Sequence, residues 1–352
     1  MTAGQLLNPR VPRHILPNSP EGLRTRSGYD ARQITSLLSL FIVSGLLFPQ
    51  TAFGQSAPAS FRELLRAEET RTFQAVHGYL KAHGQADDVT DAQRWFFQTA
   101  IKLSREPSAQ QIAAGVLTDS AADAELRDLA RQVTCVALVR DGDVNGALAG
   151  FEAALETIRL RQPEPSLQLA TALVTELQIA GDPDAARKVY DQLSTAYFLN
   201  TPVRRLCAGR LQRLALVGQQ VPAVTLKDLD GRDVGIPPQR VTLVDFWATN
   251  CVPCLAAFPE LKRIYRRQHP RGLDVLGVSL DNDDETIRTF QRDARLQWTL
   301  VRDDKKFAQA WGGSTIPAMF LVNASGKIVA CDLQISRLEA AIEKLIPHSP
   351  EN

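Results

Sequence analysis

The stretch that decides the fold is VTLVDFWATNCVPCLAAFPELKRIY, residues 241–265. Its beginning, Val241 to Phe246, is apolar at nearly every position, which is typical of a central strand covered on both faces. After the cysteines, apolar residues recur at helical spacing as far as Tyr265. The pair Cys251 and Cys254 is therefore predicted to lie where a buried strand turns into a helix.

A cysteine pair at the start of a helix is suited to thiol chemistry. Unpaired backbone N–H groups and the helix dipole stabilise a thiolate there, and they bring the pKa of such a cysteine into the range of roughly 3.5 to 7.5. Cys251 is the predicted nucleophile, and Cys254 lies one turn on, where it can attack the mixed disulfide between Cys251 and a substrate. We predict that the flanking residues Trp247, Val252 and Pro253 contact the substrate.

Half of a zinc site is the alternative for two cysteines at this spacing. Such a site needs two further Cys or His ligands, and Cys331 stands without a matching His nearby. His77 and His83 likewise have no acidic or thiol group at ligand spacing. We therefore predict no metal and no cofactor.

Strands and helices alternate through the rest of the C-terminal third, which indicates an α/β layer fold. We predict strands at 273–279, 298–301, 318–322 and 327–330, helices at 286–294 and 305–311, and a last helix that starts from a cap at Ser336. A turn at 323–326 makes the last two strands an antiparallel pair. A hairpin-like entry with its turn at Asp230-Gly231 begins the domain after a boundary near Gly218.

Taken together, these residues resemble the thioredoxin superfamily. The resemblance rests on VDFWATNCVPC at 244–254, on Pro259, on Ile316-Pro317 before a strand, and on the closing hairpin and helix. The insertion from Leu273 to Val301 and the lead-in VPAVTLKDLDGRDV at 221–234 resemble more specifically the extracytoplasmic TlpA/ResA-type branch. The resemblance covers about 219–347. It implies a thioredoxin fold, a mixed central sheet flanked by helices, and dithiol–disulfide exchange with protein substrates, the reductase direction being favoured.

The resemblance also implies roles for individual residues. Pro317 takes the place of the cis-proline that faces the cysteine pair, and Ile316 offers its backbone to an extended substrate segment. The alternative is an ordinary trans proline at a strand start. Asp245 matches the buried acid six residues before the nucleophile, which moves a proton on or off Cys254. An Asp facing water at the strand end is the alternative for Asp245.

Four features depart from the family pattern. The dipeptide Val252-Pro253 is neither the Gly-Pro of general reductases nor a His-containing pair of strong oxidants, so the redox potential stays open. Asn250 stands where the family usually has Trp beside the first cysteine, and Ala257 stands where ResA-type proteins have Glu. The strand around Gly277 lacks the Lys that commonly accompanies the buried acid, which leaves Asp245 less compensated.

Residues 55–216 form the predicted second domain, with apolar residues at helical spacing and almost no alternation. Two segments, 142–151 and 181–190, align at an offset of 39: Gly-Asp ends one helix and caps the next, and an aromatic residue follows. This pattern resembles the second helix of tetratricopeptide-like repeats, and an ordinary helical bundle is the alternative. In either case we expect the region to hold a protein partner or to form a dimer.

The three cysteines outside the pair have several interpretations. Cys135 and Cys207 lie on apolar helical faces, either as buried thiols or as a structural disulfide. Cys331 follows the last strand as a buried thiol or as a third redox thiol.

Residues 1–54 carry the features of a secretory signal. Ile34 to Phe48 is an uncharged apolar stretch, preceded by arginines and followed by the small residues of Ala52-Phe53-Gly54. Fifteen residues fall short of the roughly 20 that span a membrane comfortably, so a cleaved signal is favoured over the alternatives of a membrane anchor and a buried helix. The signal predicts an extracytoplasmic protein. Since no thiol buffer can be assumed there, a membrane or periplasmic redox partner is implied.

Length and charge limit the remaining classes of function. The chain of 352 residues is long enough for two domains. Its formal net charge of +1 and the lack of a basic run interleaved with aromatics argue against a nucleic-acid partner. Two alternative functions stay open. A thiol peroxidase needs a Thr three residues before its cysteine, where this chain has Ala248. A non-enzymatic scaffold would retain the fold as a passive module.

Overall fold

The computed structural model describes residues 61–159, 162–221, 226–303 and 306–346. They lie within one compact unit, Ser60–Asn352. The predicted signal or anchor at 34–48 lies outside the described residues. Within the described ranges, no helix combines the length and apolarity needed to cross a membrane.

Helices make up the first half of the described chain. They are α1 (Phe61–Ala82), α2 (Val89–Leu103), α3 (Glu106–Thr118), α4 (Ala124–Arg140), α5 (Val144–Ile158), α6 (Glu164–Ala180), α7 (Pro183–Ala196) and α8 (Thr201–Leu214).

The two aligned segments begin their helices in the same way. Asp143 caps α5 and Asp182 caps α7, and each carboxylate accepts a hydrogen bond from the backbone N–H three residues further on, at 2.8 and 2.9 Å. The glycine before each cap has a φ of 86°, a conformation that favours glycine. Phe151 and Tyr190 are both buried. The predicted caps are thus confirmed, and the assignment to tetratricopeptide-like repeats stays a prediction.

Strands begin after the helical region. The elements are β1 (Leu226–Lys227), β2 (Asp233–Val234), β3 (Val241–Trp247), α9 (Val252–Gln268), β4 (Leu273–Ser279), α10 (Asp284–Ala294), β5 (Thr299–Arg302), α11 (Lys306–Ala310), β6 (Ala318–Val322), β7 (Ile328–Cys331) and α12 (Ile335–Leu345). The five-stranded sheet has the order β5-β4-β3-β6-β7, with β3 parallel to β4 and antiparallel to β6. The mixed sheet flanked by helices is the fold that the sequence predicted.

One predicted cap is wrong. The last helix begins at Ile335, so Ser336 lies inside its first turn. The residue before the helix, Gln334, donates its backbone N–H to the Thr175 hydroxyl of α6 at 3.1 Å, and this bond links the start of α12 to α6.

Alternation along β3 divides the core between the two faces of the sheet. Val244 and Phe246 share a buried cluster with side chains from the helical region. Leu243 and Trp247 face the opposite cluster, which contains both Cys251 and α9 side chains. One face of the sheet is therefore closed by the helical region itself.

Helix α6 forms hydrogen bonds with the last residue of the edge strand β7. The Gln178 amide donates from Nε2 to the Cys331 carbonyl, and its Oε1 accepts from the Cys331 N–H, both at 2.8 Å. The side chain thus pairs with the strand as a neighbouring strand would, and it satisfies backbone groups that an open edge would leave to water or to another chain.

A buried ion cluster ties the same helix to α4 and α12. Glu176 accepts two hydrogen bonds from Arg140, both at 2.9 Å, and two from Arg337, at 2.5 and 3.1 Å. Burial disfavours the charge, but the hydrogen bonds from the two arginines outweigh it and lower the pKa of Glu176. Breaking such a pair leaves a buried charge uncompensated, so the cluster fixes the relative placement of the three helices.

We expect Gln178→Leu to destabilise the protein by about 2–4 kcal/mol, because two buried backbone groups lose their partners. The measurement is urea denaturation of the full chain. Gln168→Leu, an exposed position on the same helix, is the matched control. Equal unfolding free energies for the two variants would contradict the role given to the Gln178 amide.

Candidate active site

The cysteine pair lies where the central strand passes into α9. Cys251 is the N-cap residue of that helix, and its Sγ accepts a hydrogen bond from the Cys254 N–H at 3.3 Å. The two cysteines form a disulfide, with Cα atoms 5.3 Å apart. Cys251 is 8% exposed and Cys254 3%. The structure thus brings the two predicted residues together, with Cys251 the more accessible.

The two residues between the cysteines face solvent. Val252 is 75% exposed, and Pro253 is also exposed. An exposed apolar turn beside the sulfurs offers a contact surface for another chain.

Trp247 differs from its prediction as a substrate-binding residue. Its side chain is fully buried, with its ring centroid 5.2 Å from that of Phe258 and 5.1 Å from that of Phe290. The cause is strand alternation, because Trp247 follows Leu243 and Asp245 onto the inner face of β3. Trp247 belongs to the same buried cluster as Cys251 and Cys254, and its side chain is not exposed to another molecule.

The predicted proline lies at the same edge of the sheet as the cysteines. The register pairs Ala318 with Phe246, so the residues that precede β6 adjoin those that follow β3. The Ile316–Pro317 peptide bond is cis, and both residues are half-buried.

Asp245 is a buried carboxyl group, with 5% of its surface exposed. Burial raises the pKa of Asp245 to about 7. The neighbouring strand position is Gly277, where an added Cβ would lie 2.5 Å from Leu300 Cδ2 and 3.2 Å from Trp298 Nε1. Apolar and indole groups therefore fill the space that a side chain at position 277 would need.

Sequence reasoning missed an acid that holds the loop before Cys251. The Asp281 carboxylate accepts hydrogen bonds from the Thr249 N–H at 3.0 Å, from Thr249 Oγ1 at 2.7 Å and from Ser279 Oγ at 2.7 Å. The available signal was the position of Asp281 just after β4. Because β3 and β4 are parallel, residues that follow them meet at one edge of the sheet.

The other cysteines are free and buried. Burial raises the pKa of Cys135 to about 12, that of Cys207 to about 11, and that of Cys331 further. Cys135 and Cys207 are not joined to each other, and Cys331 is the last residue of β7 instead of following it. All three are therefore protonated at neutral pH. Among the residues that the structure describes, no three Cys, His, Asp or Glu side chains form a group that could hold a metal ion.

The order of the sheet, the cysteine pair at the start of α9 and the proline at the adjoining strand end define a thioredoxin-like domain. Residues 217–331 match the profile of the AhpC/TSA family.

Among characterised relatives, this chain is similar to the thiol-disulfide oxidoreductase ResA of Bacillus thuringiensis (strain Al Hakam), with 23% identity over 137 residues, 37% of this chain and 79% of the relative. ResA of Bacillus subtilis (strain 168) is 25% identical over 115 residues, 32% of this chain and 64% of the relative. A solved thiol-disulfide oxidoreductase from Bacteroides fragilis NCTC 9343 shares 29% identity, with a TM-score of 0.34 over 36% of this chain and 99% of that one. The C-terminal third has a thioredoxin-like sheet, and the relatives named above are thiol-disulfide oxidoreductases.

Proposed function

We propose that this protein exchanges disulfides with protein substrates through Cys251 and Cys254, and that it works as a reductase. The observation that carries the proposal is the place of Cys251 Sγ, which caps α9 and accepts the Cys254 N–H. A thiolate at this atom is stabilised by that hydrogen bond and by the helix dipole.

The first step belongs to the reduced protein. The Cys251 thiolate attacks one sulfur of a substrate disulfide, a bond forms between the two sulfurs, and the substrate S–S bond breaks. The second substrate sulfur leaves as a thiolate and takes a proton from water. Val252 and Pro253 are the exposed residues that meet the substrate, and the backbone of Ile316 pairs with its extended segment.

The second step resolves the mixed disulfide. Cys254 loses its proton and attacks Cys251 Sγ, so the Cys251–Cys254 bond forms and the substrate leaves with both sulfurs reduced. Two electrons have moved from the protein to the substrate. Asp245 accepts the proton of Cys254, because a carboxyl with a pKa of about 7 can gain and lose a proton near neutral pH.

The remaining predictions complete the proposal. Residues 1–54 direct the chain out of the cytoplasm as a signal peptide, or hold it at the membrane through 34–48. There a redox partner returns two electrons and two protons to the Cys251–Cys254 disulfide. The helical region, 55–216, holds a further protein partner, whereas 217–352 carries the chemistry.

Thiol peroxidase is the second candidate, and the match to the AhpC/TSA family favours it. The site itself opposes it. Ala248, three residues before Cys251, is buried and offers no hydroxyl to bind a peroxide.

The test uses the full chain with dithiothreitol as the reductant and compares two oxidants, insulin and hydrogen peroxide. We expect faster insulin reduction than with dithiothreitol alone and no gain with peroxide. Faster peroxide consumption would favour the peroxidase, and no gain with either oxidant would favour the scaffold. Equilibration of the cysteine pair with glutathione decides the direction, because a reductase keeps its disulfide form the more stable one.

A further inference from the structure

The loop that leads into the cis-proline is bound by the helical region. Arg213 on α8 donates from Nη1 to the Gly312 carbonyl at 3.0 Å, and its side chain is only 4% exposed. Gly312 has a φ of 61°, and an added Cβ there would lie 3.2 Å from Arg213 Cγ. Helix α8 therefore touches the backbone of this loop directly.

The same arginine is also linked to the part of the chain that follows Pro317. Its Nε donates to Asp332 Oδ2 at 2.5 Å, and Asp332 Oδ1 accepts the Met319 N–H at 3.3 Å. The backbone N–H of Asp332 donates in turn to the Met319 carbonyl at 2.7 Å. Met319 lies two residues beyond Pro317, so Arg213 holds the chain before the proline directly and the chain after it through one carboxylate.

The beginning of the loop, at Gly313, also packs against the central strand β3. An added Cβ at Gly313 would lie 2.8 Å from the Phe246 ring, and the Gly313 N–H donates to the Ala308 carbonyl at 2.7 Å. Between the two anchored ends, Ser314 and Thr315 are exposed. The short segment that contains Ile316 and Pro317 is thus held at both ends. Arg213 of α8 contributes to each end, by its bond to Gly312 and by its bond to Asp332.

We propose that Arg213 is a positioning residue through which the helical region sets the place of the 314–318 loop against a protein substrate. The inference rests on the proposed function, because it concerns how that site holds a disulfide-bearing chain. A guanidinium suits the task, since its planar set of donors can bind a carbonyl and a carboxylate at once.

Arg210 provides a matched control. Its Nη1 binds the same Asp332 oxygen at 2.9 Å, and no bond from Arg210 to the loop is present among the described residues. Arg213→Met and Arg210→Met each remove one cation from Asp332, but only the first removes a bond to Gly312. Arg213→Lys keeps the charge and loses the planar set of donors.

The experiment compares these full-chain variants with two oxidants, insulin and the small disulfide 5,5′-dithiobis(2-nitrobenzoate). Loss of a buried charged hydrogen bond should raise KM for insulin in Arg213→Met by about tenfold, with Arg213→Lys between it and the wild type. The small disulfide needs no extended pairing, so its rate should change by less than about twofold in all variants. Equal losses with both oxidants, or equal losses in Arg210→Met and Arg213→Met, would overturn the proposal.

Amide hydrogen exchange of residues 312–319 tests the position of this loop by a measurement that does not depend on disulfide exchange. Faster amide exchange at 312–319 in Arg213→Met, and not in Arg210→Met, supports the positioning role. If the wild type reduces neither oxidant, that result still supports the positioning role, and only the proposed function fails. Unchanged exchange in Arg213→Met overturns the positioning role whatever the activity.

Discussion

Cys251→Ser is expected to abolish disulfide exchange, lowering kcat/KM for insulin by about a thousandfold or more, the scale of removing a catalytic nucleophile. A serine hydroxyl stays protonated near neutral pH and provides no sulfur for a mixed disulfide. The N-terminus of α9 cannot compensate, because it stabilises an anion that serine does not form there.

Cys254→Ser is expected to stop the reaction one step later. Cys251 still attacks, but no second thiol releases the substrate, so a covalent adduct accumulates and is visible on a non-reducing gel. Cys331→Ser is the control: that thiol is free and buried, and its raised pKa keeps it protonated. An adduct in Cys251→Ser and none in Cys254→Ser would reverse the roles assigned to the two cysteines.

Asp245→Asn is expected to stabilise the oxidised protein, and the gain should depend on pH. The pKa of Asp245 rises from 3.8 to about 7 on burial. Between these values the folded state keeps a proton that the unfolded chain releases, so wild-type stability falls as pH rises through this window and levels off above it. An asparagine side chain does not titrate, so the stability of the variant should not fall with pH for this reason. One pKa unit corresponds to about 1.4 kcal/mol, so the gain should approach roughly 4 kcal/mol above pH 7 and vanish below pH 4.

Urea denaturation at several pH values between 4 and 8.5 measures this difference. Asp293→Asn is the control for the same substitution at a surface carboxylate, because the Asp293 side chain is 70% exposed. A gain in Asp245→Asn that is the same at pH 5 and pH 8.5 would mean that repacking, and not titration, is the cause. The same variant should also slow exchange, because Cys254 loses its proton acceptor.

The sequence predicted what local patterns determine. The apolar run from Val241 placed the central strand, and the spacing of Cys251 and Cys254 placed the pair at a helix start. Asp143 and Asp182 were predicted as caps because a cap acts within three residues. The error at Trp247 came from its nearness to the cysteines, whereas strand alternation with Leu243 would have placed it inside.

The parts that were missed depend on contacts between distant residues. Gln178 bonds to a residue 153 positions away, and Arg213 to one 99 positions away. Neither pair forms a motif, because the two partners come together only when the helical region packs on the sheet. The link between Thr249 and Asp281, 32 positions apart, was within reach once β3 and β4 were taken as parallel.

The Gln178 amide has a consequence for how this chain can vary over evolutionary time. A gene segment encoding only the part from residue 217 onward would keep the bonds that join 218–221 to Gly326 and Ile328. It would leave the backbone N–H and carbonyl of Cys331 without their Gln178 partners. Exchange of the helical region for an unrelated one would leave the same two groups unpaired at the outer edge of the sheet. The helical region is therefore not an interchangeable attachment, and a duplication or fusion that separates the two halves should yield a less stable protein.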